Sequence, residues 1–270
     1  MKQTPTISVC TIVKNERDRI DDFLASLVDF ADEIVVVDTG STDDTCACIE
    51  NFISVHKSAN IRFFKYTATG GFHYGVAKNF SIDKATKNYV IVLDADERLS
   101  DEFKQTVHSF LSDQNPNVAN VVRKDELLPH LIDFPERIIR RDSGIRYGVD
   151  DLAKVHEQLV HTATVKSFPG VVWHEQRWNH YIMRPQRIFF QLELQIDRIP
   201  KTKSFFGHFL RGIWYFFYRF KKIYFTRKLY KDGVLGFKYA FMRAFDAFLV
   251  ELFVGLKPSD GGQYWSIIKK

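Results

Sequence analysis

Four short apolar runs divide the first hundred positions of the chain: Ile7–Val13, Glu33–Val37, Ile61–Tyr66 and Tyr89–Leu93. They are rich in β-branched residues and show little polar alternation, the pattern of strands buried on both faces. Between them, apolar side chains fall at helical spacing. Ile20, Phe23, Leu24, Leu27 and Val28 predict a helix over Arg17–Phe30. The Ser, Thr and Asp residues after Asp38 offer N-caps for a second helix to about His56. A third is expected from about Tyr74 to Lys87, after the Gly70-Gly71 turn. A fourth starts at Ser100, with Asp101 and Glu102 in its first turn, and runs to about Leu111. This β-α-β-α-β-α-β-α order predicts an α/β fold: a mostly parallel central sheet with helices on both faces.

After Pro116 the pattern changes. Val118–Val122, Arg137–Arg141, Ala153–Val160 and Ala163–Phe168 read as shorter strands with no long helix between them. From Arg184 onward the chain reads as helical in three pieces, near Arg184–Arg198, Phe205–Tyr230 and Phe237–Val254. The expected organisation is a domain over 1–183, with a nucleotide-binding half (1–115) and a mixed half (116–183) that suits an acceptor. A helical extension over 184–270 follows.

The ends of the strands carry the chemistry. Asn15-Glu16 follows the first strand, Asp38 ends the second, and Asp94-Ala95-Asp96-Glu97 ends the fourth. If those strands are neighbours, all three groups converge at the crevice where open α/β sheets bind ligands. Ionised carboxylates at the end of a buried strand need compensation, because desolvating them costs several kcal/mol. A divalent cation is one such compensation. An isolated Asp-x-Asp is more often a pair of solvated loop acids, and Asp38 and Glu16 also serve as ordinary turn and cap formers. Neither a Gly-x-Gly-x-x-Gly after the first strand nor a phosphate-cradling Gly-x-x-x-x-Gly-Lys is present, which disfavours dinucleotide and P-loop readings.

Composition adds a charge asymmetry. The 270 residues carry a net charge of +5, yet Lys201–Lys231 holds nine Lys or Arg and no Asp or Glu, leaving −4 for the remainder. Twelve aromatic residues between Phe205 and Tyr230 interleave with these basic side chains. The longest uncharged run there, Gly212–Tyr218, is far short of the ~20 residues of a bilayer crossing. An amphipathic helix lying in an anionic membrane interface is expected, with packing of an aromatic helix on the domain as the plainer alternative. Nucleic acid is not expected as a partner, since no recognition motif accompanies the basic residues. Cys10, Cys46 and Cys48 make no disulfide framework. Ile7–Val13 is too short for a signal peptide and reads as a strand, so residence in the cytoplasm, peripheral on the inner face of the cytoplasmic membrane, is expected.

Three stretches resemble successive motifs of the family 2 glycosyltransferases: Ser8-Val-Cys-Thr-Ile-Val-Lys-Asn-Glu16, Val35-Val-Val-Asp-Thr-Gly-Ser-Thr-Asp43 and Leu93-Asp-Ala-Asp-Glu-Arg98. Val155-His-Glu-Gln-Leu159, Gly170–His174 and Lys231–Phe237 resemble the branch that adds glucose or heptose to the lipopolysaccharide inner core. The resemblance implies the GT-A fold and an inverting transfer. It places Asp38 on the base of the nucleotide, with Asn15, Glu16 and Lys78 among the donor-binding residues, Glu16 and Lys78 on base and ribose. It puts Asp94 on the ribose or sugar, and Asp96 on Mn²⁺ or Mg²⁺ bridging the diphosphate.

Inversion in one displacement needs a base for the acceptor hydroxyl. Two His-Glu-Gln triplets compete, His156-Glu157-Gln158 and His174-Glu175-Gln176. Glu157 is the expected catalytic base by resemblance, with Glu175, Asp150 and Asp151 in reserve. His174, following the apolar Val171-Val172-Trp173, is expected as a second metal or diphosphate contact. Each residue has a plainer reading as a polar group packed at a strand end. The expected function is transfer of a hexose from a UDP-sugar to a lipopolysaccharide-core or other lipid-linked acceptor. The competing readings are a sugar nucleotidyltransferase and a non-catalytic nucleotide-binding module at the membrane surface.

Overall fold

A computed structural model describes residues 4–68, 72–149, 158–175 and 204–256. The chain divides into two compact units, Met1–Lys124 with Ile132–Glu175, and Asp125–Leu131 with Gln176–Lys270.

The first unit is built on one sheet. Its strands are β1 (Ile7–Val13), β2 (Glu33–Asp38), β3 (Ile61–Lys65), β4 (Tyr89–Val92), β5 (Glu97–Leu99), β6 (Val118–Asp125), β7 (Ile132–Asp133), β8 (Glu136–Arg140) and β11 (Val165–His174), with a separate pair β9 (Arg146–Tyr147) and β10 (Leu159–Val160). The order is β3-β2-β1-β4-β8-β6-β11-β5, with β7 on β6. β1 runs parallel to both β2 and β4, and β2 parallel to β3. β8 joins β4 antiparallel, and so begins the mixed half. The predicted adjacency of the first, second and fourth strands is therefore present, and their carboxyl ends share one edge.

Helices α1 (Arg17–Ala25), α2 (Thr45–Val55), α3 (Tyr74–Lys84) and α4 (Asp101–Gln114) cover the sheet. Ile20, Phe23 and Leu24 of α1, Ile49 and Phe52 of α2, and Phe103, Val107 and Leu111 of α4 pack on Val9, Ile34, Val36 and Ile91 on one face. Ile82 of α3 packs with Cys10, Val35, Val37, Val90 and Val92 on the other. Successive residues of a strand thus feed opposite cores, which is why β4 and the Ile34–Val37 stretch of β2 are apolar throughout. The N-cap of α4 forms as expected, with the Ser100 hydroxyl accepting from the Phe103 N–H at 3.1 Å.

Several boundaries differ from expectation. The first helix ends at Ala25, not Phe30, and Leu27 stays fully buried from a turn. The strand expected over Ala163–Phe168 runs instead from Val165 to His174, straight through Pro169-Gly170. Gly170 allows this: a Cβ there would meet the Phe168 and Phe103 rings at 2.2 and 2.8 Å. The long helix expected over Phe205–Tyr230 is α5 (Phe205–Lys221) followed by a π turn and a 3₁₀ turn. The last helix, α6, spans Gly233–Leu256. The expected helix near Arg184–Arg198 lies outside the described residues, as does most of Ala153–Val160.

The second unit is an antiparallel hairpin of α5 on α6. Phe209 meets Phe248, Phe216 meets Phe241 and Phe220 meets Phe237 along it. Toward its open end Glu251 is closed in with His208, 3.0 Å away, and Arg211, 2.8 Å away. At the turn, Asp232 pairs with His130 at 2.5 Å. No described helix is long and apolar enough to cross a membrane.

Candidate active site

Chain reversal after β1 starts the site. Asn15 adopts a left-handed backbone, φ 58°. Its side-chain oxygen accepts from Thr42 N–H at 2.7 Å, while its own N–H donates to Ser41 Oγ at 2.9 Å. The loops after β1 and β2 are thereby tied together. Asp38, 4% exposed, accepts from Gly40 N–H at 3.0 Å and Ser41 N–H at 3.2 Å, and folds the turn that Gly40 makes at φ 98°. Glu16 N–H donates to Thr45 Oγ1 at 2.8 Å.

At the end of β4 the acids separate. Asp94 pairs with Lys78 at 3.1 Å and with Arg137 at 2.8 Å. Burial pushes its carboxyl up, but these two cations outweigh it and hold the group well below the usual carboxylate range. Lys78, from α3, is itself buried, and its ammonium also lies over the Tyr147 ring at 5.5 Å.

Glu97 is fully buried. It accepts from Arg137 at 2.5 Å, Arg123 at 3.0 Å and the Asp94 N–H at 3.1 Å. Its carboxylate fixes both the loop that carries Asp94 and the guanidinium that pairs with it. Arg123 is held further by Asp133 through two bonds, 2.9 and 2.6 Å.

Asp96 points elsewhere. Its carboxylate lies 3.4 Å from His174 Nε2 and 3.9 Å from Arg19, whose guanidinium also approaches Glu16 at 3.7 Å. His174 arrives there because β11 pairs antiparallel with β5, which sets it directly opposite Glu97. Glu175 N–H donates to the Asp96 carbonyl at 2.7 Å, closing the same corner.

Of the expected site residues, Asn15, Glu16, Asp38, Lys78, Asp94, Asp96 and His174 all lie on or beside this edge. Lys78, expected on base and ribose, is drawn to Asp94. Glu157, Asp150 and Asp151 lie outside the described residues. Glu175 carries a 3.9 Å ion pair with Arg98. Arg19, Arg123, Arg137 and Glu97 had no role in the sequence reading. Arg19 sits one turn after Glu16 in α1, and that i, i+3 spacing is the one local signal that could have found it.

A cavity of about 550 Å³ opens beside Asp94, lined by Lys78, Arg123, Phe134, Glu136, Arg137 and Tyr147 among others. Its charged walls suit hydroxyl-rich or anionic ligands. Among the described residues, no cluster of three or more His, Cys, Asp or Glu side chains could hold a metal unaided. Asp96 and His174 nonetheless offer two donors at one point. Mg²⁺-like ions typically take one or two carboxylates and fill their shell with substrate phosphates and water. The donor set fits a divalent ion that arrives with a diphosphate.

A sheet that is parallel through β3-β2-β1-β4 and mixed beyond, with carboxylates gathered at the strand ends beside a polar cavity, is the α/β architecture of the GT-A type. Residues 8–131 match the family described as Glycosyl transferase family 2. The chain carries that domain and is a glycosyltransferase. A lipopolysaccharide core biosynthesis glycosyltransferase, LpsC of Rhizobium meliloti, is 28% identical over 90% of this chain and 89% of its own. An uncharacterised glycosyltransferase of Rickettsia conorii is 24% identical over 91% of this chain and 88% of its own. Among solved structures, a fragment of S. aureus TarS in complex with UDP aligns at 16% identity over 96% of this chain and 93% of that one, with a TM-score of 0.49.

Proposed function

We propose that the enzyme transfers a hexose, with inversion, from a UDP-sugar to a lipopolysaccharide-core or other lipid-linked glycan, working peripherally at the inner face of the cytoplasmic membrane. The observation that carries the donor half is the division of labour after β4. Asp94 is neutralised by Lys78 and Arg137, whereas Asp96 stands beside His174. The extent of the likeness to LpsC, along most of both chains, supports the acceptor class.

In this reading Asp38 and Glu16, with Asn15 shaping their loop, receive the nucleoside. Asp94 holds ribose or sugar hydroxyls at the mouth of the cavity. Asp96 and His174 would hold Mn²⁺ or Mg²⁺, whose contribution when bound is to stabilise charge on the departing diphosphate. Arg19, close to Asp96, adds a fixed positive charge on that side. Glu157 is the proposed base that takes the proton of the acceptor hydroxyl as its oxygen attacks the anomeric carbon. The 1–183 catalytic and 184–270 membrane-facing division belongs to the same proposal.

Incubating the purified enzyme with Mn²⁺ and a panel of nucleotide sugars should release UDP slowly from a UDP-hexose. Release from none of them, together with unchanged UDP binding in Asp96→Ala, would overturn the proposal.

A further inference from the structure

The α5–α6 hairpin exposes apolar surface on both of its helices. On α5, Phe206, Leu210, Trp214, Phe217 and Tyr218 are 64, 50, 58, 64 and 47% exposed. Their spacing of four, four, three and one residues places them on one face. The buried positions His208 and Gly212 lie on the opposite side, against α6. On α6, Val234, Phe237, Phe241 and Phe245 are 68, 46, 42 and 38% exposed, again at three- and four-residue spacing. The two rows are continuous: Phe241 meets Phe216 at 5.4 Å, and Phe216 meets Phe217 at 5.3 Å. A sequence pattern could locate only the first row, because the second is a property of how α6 packs.

A surface of nine large apolar side chains is too extensive for a helix pair that faces only water. The charges around it are of one sign. Arg219, Lys221, Lys222, Arg227, Lys228 and Lys231 are exposed at the end where α5 turns toward α6, and Lys238 follows. The three acids of residues 204–256 are all engaged: Asp232 by His130, Asp246 by Arg243 and Glu251 by His208 and Arg211. An aromatic face bordered by a basic turn complements the headgroup boundary of an anionic bilayer, where aromatic rings sit at the apolar edge and cations meet phosphates.

We propose that this hairpin docks on anionic membrane through its α5 side, tilted so that the outer row of α5 and the flanking row of α6 both reach headgroup depth while the basic turn engages lipid phosphates. It goes beyond the peripheral location proposed above by assigning the surface, its second row and its mode of insertion. It does not depend on which sugar is moved.

The test is co-sedimentation of the full chain with phosphatidylcholine vesicles, with and without phosphatidylglycerol, across a salt series. The wild type is expected to prefer the anionic vesicles and to remain partly bound at high salt. Lys221→Gln, Lys222→Gln and Arg227→Gln together should weaken binding about a hundredfold, near fivefold per charge. Trp214→Ser, Phe217→Ser and Phe241→Ser should remove the salt-resistant fraction. Circular dichroism checks that both variants, made at exposed positions, stay helical. UDP-sugar hydrolysis without lipid should be unchanged in each, so a docking failure is distinct from failure of the proposed reaction. Vesicle binding that ignores both sets of changes overturns the proposal. So does a concentration-dependent dimer, abolished by the aromatic changes, in a chain that ignores vesicles.

Discussion

Glu97 holds two guanidinium groups and a backbone N–H from a position closed to solvent. Removing one partner from a buried ionic cluster leaves its counter-charges unmatched, at a typical cost of ~3–5 kcal/mol. Glu97→Ala should therefore lower the urea-unfolding free energy by about that amount, and more than Asp96→Ala, whose carboxylate is partly open. Asp94 makes a pH signature. Its folded pKa is depressed, so the stability it contributes is fully present above its unfolded value near ~4 and is lost as pH falls through and below it. Melting temperature should drop from pH 5 toward pH 3, and that drop should shrink in Asp94→Asn. The place of Asp94 and Asp96 at the carboxyl edge of the sheet was legible in the sequence, because acids that end an apolar strand demand an explanation. The burial of Glu97 was not, since it depends on a three-residue strand whose partner lies in β11, far along the chain.

Among the elements, α3 is held by a close backbone approach. His73 Nδ1 accepts from Gly75 N–H at 3.1 Å, and a Cβ on Gly75 would stand 2.3 Å from the Gly148 carbonyl oxygen. Gly75→Ala must push α3 away from the segment after β9, and with it Lys78. A loss of roughly 1–3 kcal/mol in stability is expected, as for overpacked cores. Weaker UDP binding by calorimetry should accompany it. Hydrophobic spacing read the elements well where it reported burial, and poorly where burial and regular structure part company. Leu27 is buried as predicted, but from a turn. Pro169-Gly170 has the composition of a turn, yet the backbone stays extended there because two phenylalanine rings need the space a side chain would fill.

For the molecule as a whole, a ligand that binds only the folded state raises its stability by mass action. UDP with Mn²⁺ at a hundred times its dissociation constant should add about 2.7 kcal/mol, a rise of roughly 5–11 °C in melting temperature for a chain of this size. In Asp96→Asn the manganese-dependent part of that rise should vanish, while the part due to UDP alone persists. The parallel half of the fold was readable because each strand and helix is specified locally. The path through the mixed half was not, because its order β8-β6-β11-β5 is set by contacts between distant stretches. Asp96 and His174 stand 78 positions apart, and what brings them together is the count of residues along two paired strands. In a ladder that count matters by parity. One residue inserted between Val172 and His174 would set Trp173 or a new side chain opposite Glu97 and turn His174 to the other face of the sheet. Two inserted residues would restore its facing, displaced by one pleat. The corner that Asp96 and His174 share is in this sense an even-or-odd device: it tolerates small movements of β11, but not a change of one in its register.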